Sequence, residues 1–262
     1  MIDVIIPAYN SKKTIEYTLM SLCIQSIKDM IVVTIIDDAS DDDYQDTINK
    51  FNKYLVINYK RNNKNMGAGI SRQIGLDITK NEYIFFLDSD DLLYSCDSLE
   101  KLYKKIIKGY DYVYSNCYNE ATLDISFNKS DLHGKMYKRK FLDDNKIVFN
   151  DSRYHEDNSF NNIVLLNKPN QDVITDITYI YCYNPSSLTN YDISTEWEKL
   201  EMYIYNMRYV VDYANAHNLD AKTYVDNKYN YLFNYLKKLD LKKINIINEW
   251  LKKYNFDEIV LN

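Results

Sequence analysis

The chain has 262 residues, 46% of them hydrophobic, with a formal net charge of −6, which suits one large α/β domain or one domain with an appendage. The acidic balance disfavours nucleic-acid phosphate as the main partner, and no run approaches the ~18 apolar residues of a membrane span. Four scattered cysteines, Cys23, Cys96, Cys117 and Cys182, form no CxxC pair, which argues against a zinc site or a disulfide framework and for free thiols in a reducing compartment.

Ile2–Pro7 is an apolar strand that Pro7 should end, with a loop at Ala8–Ser11. Because no charged leader precedes this strand, a cytoplasmic location is expected. Ser11 is placed to cap the next helix, whose apolar positions Ile15, Leu19, Leu22 and Ile27 recur near helical spacing. Ile31–Ile36 is a second buried strand and ends in Asp37 and Asp38. Strand, helix and strand in this order make a βαβ unit, hence a parallel sheet. A surface helix is expected over 41–51, a third strand over 55–59 and a polar loop over 61–65. Met66-Gly67-Ala68-Gly69 then enters a helix running to about Ile78.

Tyr83-Ile84-Phe85-Phe86-Leu87 reads as a buried central strand, and it runs directly into Asp88-Ser89-Asp90-Asp91. Ligands of open α/β sheets bind outside the carboxyl ends of strands. In an extended segment Asp88 and Asp90 would point to one side and Asp91 to the other. Two hard carboxylates in a cleft suit Mg²⁺ or Mn²⁺, and such a cation is most useful on a diphosphate. The alternative for this stretch is a solvated acidic turn.

A helix is expected over 98–108, a strand over 110–118, a hairpin or loop over 120–130 and a short helix over 136–143. His155-Glu156-Asp157 precedes a helical pattern at Phe160, Ile163, Val164 and Leu166. Taken alone, Glu156 and Asp157 could be the acidic first turn that a helix dipole favours. A strand over 173–183 and a loop over 185–189 follow. Three helical segments are expected near 194–217, 220–237 and 240–254. In the last, Leu241, Ile244, Ile247, Leu251 and Tyr254 form a stripe beside Lys242, Lys243, Lys252 and Lys253. It reads as an amphipathic helix packing on its own domain; a peripheral membrane contact or a homodimer contact is the alternative.

Five motifs stand in one order: Val4-Ile5-Ile6-Pro7-Ala8-Tyr9-Asn10, Ile36-Asp37-Asp38-Ala39-Ser40, Asn65-Met66-Gly67-Ala68-Gly69 with Ser71-Arg72, Phe86-Leu87-Asp88-Ser89-Asp90-Asp91, and His155-Glu156-Asp157. Over roughly residues 1–190 the chain resembles the family 2 glycosyltransferases of the GT-A fold. The resemblance implies a Rossmann-like, mostly parallel sheet flanked by helices. Residues 1–95 would form the nucleotide-sugar-binding half, 96–190 the acceptor-binding half, and 191–262 a helical C-terminal extension. It implies an inverting, metal-dependent enzyme of glycan or cell-surface polysaccharide synthesis at the inner face of the membrane. Such an enzyme moves one hexosyl or N-acetylhexosaminyl group from a nucleotide-sugar, UDP-linked by expectation, to a hydroxyl of a glycan or lipid-linked acceptor.

The same resemblance implies residue roles. Pro7, Ala8 and Tyr9 would line the nucleotide, with Tyr9 stacked on the base. Asp38 would accept a hydrogen bond from the base edge, and Arg72 would lie by the diphosphate. Asp88 would contact ribose or metal, and Asp90 would be the principal ligand of Mn²⁺ or Mg²⁺. Asp91 would bridge to the metal's water or the sugar, and His133 would approach the donor or acceptor sugar. Asp157 would be the catalytic base, with Glu156 positioning the sugar or exchanging roles with it.

The chain departs from the family pattern in one respect. Relatives often supply a further histidine ligand after the base, whereas the later histidine here, His217, lies in the helical tail, leaving Asn184 or a water as substitutes. Gly67 and Gly69 make no dinucleotide fingerprint, because Arg72 stands at the third glycine position. The QxxRW motif of processive synthases is absent. The competing readings are a non-catalytic nucleotide-sugar-binding module, which the intact acids argue against, and a metal-dependent phosphohydrolase. The latter usually carries its DxD at the first strand, not the fourth.

Overall fold

A computed structural model describes residues 1–126, 131–185, 196–236 and 241–259. Most of the expected 185–189 loop and the end of the 120–130 segment lie outside them. The first half holds β1 (Ile2–Ala8), α1 (Lys12–Cys23), β2 (Ile31–Asp37), α2 (Gln45–Phe51), β3 (Val56–Arg61), α3 (Ala68–Ile78) and β4 (Tyr83–Phe86). These strands run parallel in the order β3-β2-β1-β4.

The second half adds β5 (Leu92–Leu93), α4 (Ser98–Ile106), β6 (Tyr112–Asn119), β7 (Asp124–Ser126), β8 (Lys135–Lys138), α5 (Arg139–Asp144), α6 (Glu156–Leu166) and β9 (Gln171–Tyr181). It extends the same sheet as β4-β8-β6-β9-β5, with β7 paired to β6. Here β8 is antiparallel to both β4 and β6, β9 is parallel to β6, and β5 is antiparallel to β9.

Both faces of the sheet are covered at its centre, which is why β1 and β4 are buried along their whole length, whereas the edge strand β3 is largely exposed. The period-two alternation of a strand sorts the side chains of β1 and β4 between two cores. Val4, Ile6, Phe85 and Leu87 enter one; Ile5, Ile84 and Phe86 enter the other. In the second core Phe86 meets Phe149 edge-to-face at 5.2 Å, and Phe149 stacks on Phe160 at 4.1 Å.

A third, smaller core lies among α7 (Glu196–Ala216), α8 (Lys222–Leu236) and α9 (Leu241–Lys253). Ile247 and Leu251 of α9 are fully buried there with Ile204 and Met207 of α7, so the amphipathic face of the last helix packs on its own chain. No helix of the described residues is long and apolar enough to cross a membrane. All four cysteines are free thiols.

Local expectations differ from the structure at four places. Pro7 does not end β1. The β1–β4 register stops at Ile5 opposite Phe86, with a last bond from Leu87 N–H to Ile5 O, so the missing N–H of Pro7 falls where that ladder is already over. Ser11 precedes α1 without capping it, because its hydroxyl pairs with Tyr44 Oη at 3.1 Å. The helix expected from 41 begins at Gln45, since Asp42 and Asp43 accept backbone N–H bonds from Lys12 and Gln45 and hold a turn instead. The short helix expected over 136–143 is a strand, β8, followed by α5. Met136 and Tyr137 pair with both β4 and β6, and that tertiary partnership outweighs the local propensity signal.

Candidate active site

The acids after β4 do not lie on an extended segment. Asp91 N–H donates to Asp88 O at 3.1 Å and closes a turn. The turn brings Asp88 and Asp91 onto one side, against His133 from the loop before β8. His133 Nε2 is 4.0 Å from Asp88 Oδ2 and 3.8 Å from Asp91 Oδ2. The expected alternation, with Asp91 facing away, is therefore corrected by the turn. Asp91 is also not open to a sugar: it is 1% exposed and accepts from Tyr179 Oη at 2.7 Å and Cys182 N–H at 2.9 Å. The His133 ring stacks on Tyr179, with centroids 4.9 Å apart, which places it in the acid cluster. Asn184 Nδ2 donates to Asp90 Oδ2 at 2.8 Å, and His217 lies elsewhere, stacked on Tyr213.

Crowding sets the electrostatics. Burial, then Asp88 and Asp90, pushes Asp91 well above the usual carboxylate range; burial and Asp88 also raise Asp90. Burial would raise Asp88 too, but Arg72 and His133 hold it below the ordinary value. Ligand atoms of Asp88, Asp91 and His133 all lie within 4.8 Å of one another. Carboxylates that repel each other beside an imidazole fit a divalent cation, which would relieve that repulsion.

Arg72, on α3, joins this turn to the second half of the chain. It is 5% exposed, and its guanidinium donates to Asp88 Oδ1 at 2.6 Å and to Glu156 Oε1 at 2.8 Å. Asp157 follows on the first turn of α6, half-buried and close enough for its charge to act on Arg72. Asn158 N–H holds Asp157 Oδ1 at 2.7 Å, and no described residue donates to Oδ2. Thus residues 72, 88, 156 and 157 meet at one place. Burial and the adjacent Asp157 push Glu156 up to about 7, while Arg72 pulls the other way. His155 enters α6 with φ 65°, a left-handed conformation in which histidine is found more often than most residues.

Gly69 makes this meeting possible. A Cβ there would lie 2.7 Å from Glu156 Cγ and 3.0 Å from Asn150 O. Because Glu156 is held by Arg72, it has little room to retreat. Gly69→Ala is expected to cost about 1–3 kcal/mol of stability, as overpacking does. Urea denaturation measures it, and an unchanged midpoint would mean that Glu156 moves freely.

At the end of β1, Pro7 and Ala8 are buried, whereas Tyr9 is 51% exposed, where a ring can stack on a ligand. Asp38, another expected nucleotide contact, faces the loop that enters α3. It is 3% exposed, and its carboxylate accepts from Asn62 Nδ2 at 2.8 Å, Met66 N–H at 2.9 Å and Gly67 N–H at 2.7 Å. It anchors the loop entering α3 through these three donors. Tyr179 and Asn62 carried no signal in the sequence, because their bonds to Asp91 and Asp38 span 88 and 24 residues.

Comparison with known proteins agrees with this geometry. The model of the family described as Glycosyl transferase family 2 matches residues 3–174. The poly(ribitol-phosphate) β-N-acetylglucosaminyltransferase TarP of Staphylococcus aureus is 31% identical over 72% of this chain and 65% of its own length. The UDP-Glc:α-D-GlcNAc-diphosphoundecaprenol β-1,3-glucosyltransferase WfaP of Escherichia coli is 38% identical over 48% of this chain and 49% of its own. The chain thus spans about half to two thirds of these curated relatives. The crystal structure of S. aureus TarS 1–349 with UDP-GlcNAc superimposes with a TM-score of 0.79 at 21% identity, covering 97% of this chain and 80% of that one, and shows the fold to be GT-A. A matched family model over the sheet, the acid turn and the start of α6 establishes that this chain belongs to glycosyl transferase family 2.

Proposed function

We propose that this chain is an inverting, metal-dependent glycosyltransferase that moves one sugar from a UDP-sugar to a hydroxyl of a glycan or lipid-linked acceptor. The observation that carries this reading is the double ion pair of Arg72, which ties the acid turn after β4 to the helix bearing Asp157. The relatives support the donor and the acceptor class. TarP is named for a poly(ribitol-phosphate) acceptor and WfaP for UDP-glucose and an undecaprenol-linked acceptor. A peripheral position at the inner membrane face follows from a lipid-linked acceptor.

Asp88 and Asp90, with His133 and Asp91 beside them, would hold Mn²⁺ or Mg²⁺. A divalent cation there neutralises the charge that grows on a diphosphate leaving group. Asp157 presents Oδ2 to the acceptor hydroxyl. As the acceptor oxygen bonds to the anomeric carbon, the bond from that carbon to the diphosphate oxygen breaks, and its electron pair leaves with the nucleotide. The hydroxyl proton passes to Asp157. Arg72 fixes the distance between the leaving group's end of the cleft and the base, which is what a single displacement needs.

A thermal-shift comparison of UDP, GDP and dTDP with and without Mn²⁺ tests the site. At 100-fold excess over its Kd, a ligand of the folded state stabilises by about 2.7 kcal/mol. UDP with Mn²⁺ is expected to give the largest shift, and Asp90→Ala to remove the Mn²⁺-dependent part. Equal shifts from all three nucleotides regardless of metal, or none, refute the proposed donor site. UDP released from UDP-GlcNAc or UDP-glucose then separates an enzyme from a binding module.

A further inference from the structure

The helical C-terminal part reaches the candidate base. Asn206 of α7 is 4% exposed and grips the loop before α6, donating to Ser152 Oγ at 2.8 Å and Tyr154 O at 2.9 Å and accepting from Asn150 Nδ2 at 2.8 Å. From α8, Lys228 extends its ammonium to Asn158 Oδ1 at 2.7 Å. That ammonium lies 4.9 Å from the ring centre of Tyr203 on α7 and 5.4 Å from that of Tyr224 on α8. Two rings facing one cation hold it by the electrostatic attraction of their π faces. Asn158 is the residue whose N–H fixes Asp157 Oδ1, so Lys228 lies one side chain away from the base's own support.

We propose that Lys228 is a positioning residue for Asp157, supplied by the helical extension, which keeps Asn158 oriented and a positive charge beside the carboxylate. The proposal rests on Asp157 being the base. The titratable groups around the ammonium are Asp157 and His155 at the start of α6, Tyr203 of α7 and Tyr224 of α8, with Lys199 of α7 beside His155. Burial pushes the ammonium down to about 8, against the attraction of Asp157. It is therefore charged below that pH and neutral above it. In this account transfer falls as the pH rises through that value.

The test uses the full chain, UDP-GlcNAc and water as the attacking hydroxyl, with UDP release followed across the range around pH 8. Lys228→Met is expected to lower kcat about tenfold or more while KM for UDP-GlcNAc and UDP binding stay unchanged. Lys228→Arg keeps its charge at all these pH values and is expected to retain activity without the alkaline fall. Lys228→Met with wild-type kcat, or Lys228→Arg with an unaltered alkaline fall, overturns the proposal. Should Lys228→Met fail to fold by circular dichroism, the Lys228→Arg profile alone decides. Asp157→Asn is run alongside. If it is inactive while Lys228→Met is normal, only the positioning role fails. If it is fully active, the base assignment fails and the positioning role with it.

Discussion

Asp157→Asn is expected to reduce sugar transfer by about 10²–10⁴-fold, the usual contribution of a general base, or about 3–5 kcal/mol on the barrier. The substitution is nearly isosteric. An amide oxygen can still accept the Asn158 N–H bond that holds Asp157 Oδ1, so α6 should start as before. Nucleotide binding should persist, because the acid turn, Arg72 and Tyr9 are untouched. The expected pattern is thus a collapse of kcat with an unchanged thermal shift from UDP and Mn²⁺. Glu156 is a poor substitute base. Its Oε1 is committed to Arg72, and it is buried, with a side-chain exposure of 10%. Transfer within about twofold of wild type would remove the base role from Asp157 and reopen it for Glu156.

Arg72→Met is expected to cost about 3–5 kcal/mol of stability, since removing one partner of a buried ion pair leaves uncompensated charge. Here a single guanidinium serves two carboxylates, Asp88 and Glu156, whose side chains are 26% and 10% exposed. Met fills similar volume, so the loss would report charge and not a cavity. Arg72→Lys should recover only part of it, because a point-like ammonium cannot match a fork that donates in two directions. Urea denaturation at constant slope gives the difference. A loss below about 1 kcal/mol would mean that the two acids find other partners or take up protons without strain.

How much of this could be read from residues alone depended on whether the physics was local. The central strands were legible because both faces of the sheet are covered, so Val4–Ile6 and Ile84–Leu87 are apolar throughout. Asp88, Arg72, Glu156 and Asp157 were named from motif order, and they do meet. The direction of the acids was not legible, because one hydrogen bond from Asp91 to Asp88 turns the segment and reverses the alternation. The inward commitment of Asp38 was hidden for a similar reason. Its partners are the amides of a loop 28 and 29 residues later. Lys228 was invisible, since a lysine in an amphipathic helix looks the same whether it faces water or two tyrosine rings.

The position of β4 has a consequence for how such a chain can be divided. It has β1 from the first half on one edge and β8 from the second on the other. Severing the chain after Asp91 would leave its four apolar residues, Tyr83–Phe86, with one bare rim, an invitation to pair with strangers. The second fragment would keep β8 and β6 but lose the strand that orders them. Neither piece would be a portable module, so the stretch from Ile2 to Tyr181 should be inherited, swapped or lost as one unit.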